Sequence, residues 1–511
     1  MVRIPFPERV PINRVALFAI ALFMVQWIEG TDLYFRFGCA VFILVATFAF
    51  NTAGGLTRAS GVYVFFYSTL VVIIGVCYKA FIGEPAQSNL RDPHTTIAVY
   101  VGGITAMLAT VIVSSRFRRK TGLLENLLKD SRMYRASVGC MAFGVFGGSI
   151  AALLGPRVAS AFTQLNDLVP LGIMIGVMYE IRRSGGTRTI NFPILLAGIY
   201  YFLFFGVLGF SKEGMLLPLV SWFFPVCALR FRLSALQAGG VLVAGFIIFY
   251  YLVPYSQYGR SQIQEGQSQA QRSAIALKLF EHLDQTRQIY EETGSLGGLN
   301  EYYNTPQGFW DRLQFISVDD RLIDLTDQGH VFGTLPLKAE LLNAIPHVLW
   351  PDKPLNNFGN IYAHELGALS SDDFSTGISF SPTAEAYHMD TWVGVLVIAP
   401  LIWFLFFVVY DSLFGDLRAS PWGLLVVAML SHTASEAALT GVIHLLTFGA
   451  EVLIFCAIFA AWVAPILAIP ILGPERRMTG RQTPLQPRAQ SNAQRSSMTI
   501  DPHPPPPAPF T

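Results

Sequence analysis

Two groups of residues in this chain have types and spacings that could do chemistry. The first gathers around one long hydrophilic segment. Its cations are few: Arg157, Lys212, Arg312, Arg321 and Lys353. Arginine offers a two-pronged match to an oxyanion and lysine a point charge. The competing reading is an ordinary surface ion pair, which Asp311 beside Arg312 and Asp320 beside Arg321 invite. Glu385, His347 and Asp320 could take a proton from a hydroxyl, as a carboxylate or imidazole within reach can; Asp319 and His388 come behind them. Glu385 could equally be a carboxylate at a helix start, where negative charge is favoured. The second group is Ser431-His432-Thr433-Ala434-Ser435-Glu436, which sets His432 and Glu436 four residues apart on one helix face, with Glu451 further on. Ionisable residues inside a membrane cost roughly 2.5–3.5 kcal/mol each on insertion scales and so face a cavity or a partner. His432, Glu436 and Glu451 are therefore either a cavity wall or an internal hydrogen-bonded cluster.

Several familiar chemistries are missing. There is no phosphate-cradling G-x-x-x-x-G-K-[ST], no H-E-x-x-H and no G-x-S-x-G. The five cysteines (Cys39, Cys77, Cys140, Cys227, Cys456) all fall in apolar runs, with neither a disulfide nor a zinc spacing. No cofactor, no metal and no nucleic-acid partner is expected. Glu29 and Asp32 imitate the acidic site of lipid-linked sugar transferases, with a helix-end cap as the alternative.

The elements that must position these residues follow from composition. The 511 residues are 52% hydrophobic and only 14% charged, against roughly a quarter charged in soluble domains. Too little polar surface exists to cover a water-facing globule, so lipid is the solvent for most of the chain. Apolar runs of the required length, about 20 residues, lie near 14–29, 32–50, 61–82, 95–114, 134–154, 165–181, 191–210, 214–230, 234–254, 388–411, 421–440 and 443–471. Cytoplasmic connections collect Lys and Arg. With the N-terminus inside, the inner connections hold 17 of them and the short outer ones four (Lys79, Arg91, Arg157, Lys212). About twelve transmembrane helices with both termini cytoplasmic are expected. Residues 1–254 form membrane helices 1–9, 255–387 a large outer loop, 388–472 membrane helices 10–12, and 473–511 a disordered cytoplasmic tail rich in Arg, Gln, Ser and Pro. The loop carries 8 Lys/Arg and 17 Asp/Glu. Helices are expected within Ser261 to Glu292, from Phe309 to Asp327 and from Leu335 to Ala344.

Pro346-His347-Val348-Leu349-Trp350-Pro351-Asp352-Lys353-Pro354, then Ser381-Pro382-Thr383-Ala384-Glu385-Ala386-Tyr387 and Trp392-Val393-Gly394 about thirty residues on, carry a family likeness. They resemble the bacterial O-antigen and exopolysaccharide repeat-unit polymerases (Wzy-type). That family tends to show a Pro-Arg turn ending in Pro-x-Lys-Pro, followed by a Gly-Glu-x-Tyr start to a late span. Phe210-Ser211-Lys212-Glu213-Gly214 resembles its short outer Ser-Arg/Lys turn. The motifs cover about forty residues. His347 stands where the family commonly has Arg, and Ala384 where it has Gly.

The resemblance implies a metal-independent glycosyltransferase of the GT-C kind: an all-α polytopic bundle in a bacterial inner membrane, with a mostly helical periplasmic loop. It implies undecaprenyl-diphosphate-linked oligosaccharides as substrates, joined into O-antigen or exopolysaccharide, and a chain-length regulator and a flippase as further partners. A leaving diphosphate needs fixed cations, which gives roles to Lys353, Lys212, Arg157, Arg312 and Arg321, with Glu385, His347 or Asp320 as base. Lys353→Ala and Glu385→Gln are then expected to abolish polymer growth in a protein that still inserts. The rivals are an O-antigen ligase, a lipid-linked oligosaccharide flippase or other transporter, and a structural envelope subunit.

Overall fold

Long apolar runs with few interior breakers become helices, because a backbone in lipid has to satisfy its own hydrogen bonds. A computed structural model of the chain describes residues 2–153, 167–263, 267–293, 301–304, 310–345, 350, 357–374 and 376–473. Among the described residues, nine helices precede the hydrophilic segment: α1 (Ile12–Ile28), α2 (Leu33–Ala53), α3 (Ala59–Ile82), α4 (Pro93–Ser114), α5 (Met133–Leu153), α6 (Leu168–Arg183), α7 (Phe192–Val207), α8 (Lys212–Ala228) and α9 (Ala235–Ser261). The segment itself folds as α10 (Gln269–Glu281), α11 (Leu283–Thr293), α12 (Ile316–Asp327), α13 (Leu335–Asn343) and α14 (Phe358–Glu365). Then come α15 (Pro382–Phe414), α16 (Pro421–Glu436) and α17 (Ala438–Leu467). A helix lies over every apolar run, and α2, α3, α4, α9, α15 and α17 are long and apolar enough to cross a membrane. The chain is an all-α membrane protein. The tail beyond Gly473 is outside the described residues.

Local signals set the ends. Asp32 accepts from the Tyr34 and Phe35 amides at the start of α2, which is the capping alternative for that residue. Asp92, Asn191, Ser211, Ser381 and Ser420 cap α4, α7, α8, α15 and α16 in the same way.

The connections that the charge pattern assigns to one side do meet at one end. Arg418 bonds Glu8 at 2.8 Å, and Arg118 reaches both the Ala53 carbonyl and Asp411. Arg58 donates to the Lys120 carbonyl, Arg182 pairs with Asp130, and Val2–Arg3 pairs with Arg232–Leu233 as a short strand ladder. The opposite connections meet the hydrophilic segment: Asn89 donates to the Tyr302 carbonyl, and Arg260 to that of Phe210.

The segment is not a detached water-soluble layer. Tyr302, Ile316, Val318, Leu322, Ile323 and Tyr362 belong to the same buried core as Phe42, Tyr67, Tyr100 and Trp403 of the long helices. The expected amphipathic helix from Phe309 begins instead at Ile316. A 3-10 turn occupies Trp310–Leu313, and Gln314 accepts from the Ser317 amide. Gly75 in α3 lets Gln314 approach, since a Cβ there would sit 2.9 Å from the Gln314 Cβ. The exposed helix expected within Ser261 to Glu292 is two helices, parted at His282.

Two helices break at the end that carries the segment. In α15 the helical path fails at Asp390 and Thr391, where Thr391 takes φ 43°, a strained value for a β-branched residue. The remainder, 391–414, reaches about 36 Å by itself at 1.5 Å per residue. The arm before the break is therefore surplus to a crossing, and Pro382 to Met389 are all buried. The second break is Ala437–Ala438, with Ala438 at φ 53°, between α16 and α17.

Candidate functional site

The polar side chains at this end of the bundle fall into two assemblies. The first is closed. Glu385, on the short arm of α15, is fully buried. Its carboxylate accepts from the Thr440 amide at 2.8 Å, from the Thr440 hydroxyl at 3.1 Å and from the Tyr362 hydroxyl at 3.1 Å. It thus caps the start of α17 from a distant part of the chain, supplying the acceptor that helix beginnings need. The candidate base has no open face to offer a substrate. Capping is the right chemistry, but the helix capped is α17 and not its own.

Asp320 behaves alike. It accepts from the Arg91 and Asp92 amides at 2.6 and 3.1 Å and from the Thr96 hydroxyl at 2.9 Å, which pins α12 to the start of α4. Asp319 accepts from the Tyr100 hydroxyl at 2.7 Å and the Ser381 amide at 2.9 Å. Burial pushes the Asp319 carboxyl up to about 6, against the pull of those hydrogen bonds. Burial also raises the Asp320 carboxyl. His388 is held between Thr326 at 2.9 Å and Glu365 at 3.2 Å. Arg321 lies half-buried among the charges of Arg91, Asp320, Glu301 and Asp324, and its guanidinium is shifted down chiefly by burial. These carboxylates hold the hydrophilic segment against the long helices.

A substitution pair separates clamp from base at Glu385. Glutamine can accept from the Thr440 amide and donate to the hydroxyls of Thr440 and Tyr362. Glu385→Gln is therefore expected to fold and keep activity. Glu385→Ala strands donors worth about 1–3 kcal/mol each and is expected to lower the yield of folded protein in a detergent melt. A well-folded Glu385→Gln protein without activity would restore the base assignment.

The second assembly is open. A cavity of about 420 Å³ lies where the beginnings of α6 and α8 meet the end of α7. Asp167, Tyr201, Phe204, Phe205, Ser211 and Glu213 line it. The ring of Tyr201 stacks on Phe205 with centroids 4.6 Å apart. Among the described residues neither Asp167 nor Glu213 has a hydrogen-bond or ion-pair partner, so both carboxylates are free for a ligand. Lys212, next to Glu213 and half-buried, is likewise without an ion pair among the described residues. Its charge and that of Glu213 act on His432, which pairs with Glu436 at 3.1 Å.

His432 and Glu436 are therefore brought together as a pair, within electrostatic reach of Lys212. The pair lies in the last turn of α16, which packs against α6 and α8, at the segment end and not in mid-helix: the apolar run 421–440 reads straight through the break at Ala437–Ala438. Glu451 does not join it and is exposed on α17. Arg157, His347 and Lys353 lie outside the described residues, as does the side chain of Arg312. Asp167, Tyr201 and Glu213 were missed. Their one signal was place: an acid at each of two outer turns and an aromatic at the end of an apolar run.

The same two helices carry a second feature. An apolar groove of about 650 Å³ runs along α7 and α8 from Phe202 and Pro218, next to the cavity, down to Thr189 and Gln237. Ile194, Gly198, Phe202, Met215, Pro218 and Trp222 are among its walls. A helical membrane protein thus presents a polar cavity and an apolar groove built on the same helix pair. No family model, no curated protein and no solved structure matches the chain.

Proposed function

We propose that this chain is a glycan polymerase of a bacterial inner membrane. In this reading it joins undecaprenyl-diphosphate-linked oligosaccharide units at the periplasmic face, with twelve spans and both termini cytoplasmic. The observation that carries it is the pairing of cavity and groove. A lipid-linked sugar has an apolar tail, a diphosphate and a polar head in that order. The groove offers about 18 Å of apolar helix surface along α7, at 1.5 Å per residue, then Lys212, then a cavity with two open carboxylates. The groove suits the prenyl chain, Lys212 the diphosphate and the cavity the saccharide.

The chemistry follows from those positions. A hydroxyl oxygen of the acceptor sugar attacks the anomeric carbon of the donor. The bond from that carbon to the diphosphate oxygen breaks, and the hydroxyl proton passes to Glu213 or Asp167. Lys212, with His432 behind it, neutralises the charge that develops on the diphosphate. No metal enters this scheme. A transporter is favoured less, because such proteins unwind helices near the midplane to build their sites, whereas the breaks at Asp390–Thr391 and Ala437–Ala438 in the described helices lie at the segment end.

The test is deletion of the gene in its host, followed by sizing of lipid-linked and surface glycans. Single repeat units on the surface with the long ladder gone are expected. Long chains stranded on undecaprenyl diphosphate would replace this reading with a ligase, and single units trapped at the cytoplasmic face with a flippase. An unchanged profile would leave it without support.

A further inference from the structure

We propose that the cavity between α6, α7 and α8 selects its saccharide by charge: it takes neutral or amino sugars and rejects uronic acids. The inference rests on the lipid-linked saccharide reading above and names the substrate class of that site. Two carboxylates line the cavity, Asp167 and Glu213. Against them stand Lys212 and His432, and the histidine is already engaged by Glu436 at 3.1 Å. With Lys212 committed to the diphosphate, no cation remains among the described lining residues to meet an acidic sugar.

The rest of the lining fits an uncharged ring. Asp167 and Glu213 have no donor of their own among the described residues, and a ligand hydroxyl or ammonium would supply one. A carboxylate placed between them would add a third like charge in a partly desolvated space and leave both acceptors unmet. Tyr201, Phe204 and Phe205 give flat apolar faces for the C–H side of a pyranose. The volume, about 420 Å³, falls in the range of small-molecule sites, about 300–1,000 Å³. The acidic balance of residues 255–387, with 17 Asp/Glu against 8 Lys/Arg, opposes the approach of polyanionic glycans in the same direction.

The experiment uses the full-length chain in lipid nanodiscs and three synthetic probes. These are farnesyl diphosphate alone and two farnesyl-diphosphate disaccharides that differ only in glucose or glucuronic acid at the ring next to the diphosphate. The glucose probe is expected to bind roughly thirtyfold tighter, the effect of one added like-charge contact at about 8 Å in an effective dielectric of about 20. The ratio is expected to fall toward one in Glu213→Gln, at an exposed position where no packing is lost, and in Asp167→Asn. Equal affinities in the unaltered chain, a preference for the glucuronate, or a ratio unmoved in both variants overturns the charge filter. Where farnesyl diphosphate itself still binds, only the filter has failed. If none of the three probes binds, the lipid-linked saccharide reading fails and takes the filter with it.

Discussion

Replacing Lys212 with alanine is expected to slow polymer growth by about 10²–10³-fold, with the amount of inserted protein unchanged. Lys212 opens α8, is half-buried, and has no ion pair among the described residues. Its removal thus strands no partner and leaves the Ser211 cap on the Gly214 amide in place. On the proposed mechanism the loss is confined to charge stabilisation of the departing diphosphate, and is expected in turnover more than in substrate affinity. Arginine at 212 keeps the charge and is expected to recover most of the rate, though its planar fork presents the charge differently. Glycan ladders from cells carrying each variant, normalised to membrane protein, read the effect directly. A Lys212→Ala strain with a normal ladder would remove this lysine from the mechanism.

The second large effect is on stability and comes from Asp319. This side chain is fully buried, and burial holds its carboxyl at about 6 against an ordinary 3.8. The folded state therefore binds the proton more tightly than the unfolded chain does. The associated stability is fully present below about pH 3.8 and is lost as pH rises through about 6. The cost of holding the ionised form at neutral pH is on the order of 3 kcal/mol. Asparagine can accept from the Ser381 amide and donate to the Tyr100 hydroxyl, keeping both contacts without the charge. Asp319→Asn is expected to melt higher than the parent at pH 7 and to show a shallower fall in stability between pH 4 and 6.5. Thermal unfolding in detergent across that range checks it, and identical pH slopes for the two proteins would refute the assignment. Some slope remains in the variant, because burial also raises Asp320 and Glu365.

Much of the candidate chemistry was legible by type and not by role. Lys212 stood out as a scarce outer cation and His432–Glu436 as an ionisable pair on one helix face, and the pair does form, within electrostatic reach of Lys212. Glu385 and Asp320 stood out as possible bases near the outer mouth, yet both carboxylates are taken up by hydrogen bonds as clamps. The difference lies in partners that are far away in sequence: Thr440 and Tyr362 for Glu385, Arg91, Asp92 and Thr96 for Asp320. Asp167 and Glu213 carry no motif of their own. They matter because the starts of two helices converge with the end of a third, and no local spacing encodes that meeting.

The sequence by itself determined the solvent and the secondary structure. Scarce charge and apolar runs of helical length demand lipid and self-satisfied backbones, and the alternation of Lys and Arg sorted the connections into the two ends that are observed. It also placed the helix Leu335–Asn343 of the hydrophilic segment to within a residue and the end of Ile316–Asp327, though not its start. Only the tertiary structure decided that this segment shares the core of the long helices, that α15 and the α16–α17 pair break at their segment ends, and which carboxylates stay open. Burial and pairing are properties of contacts between residues hundreds apart, such as the 316 positions between Tyr67 and Thr383. A carboxylate becomes a clamp or a site according to whether such a contact reaches it first.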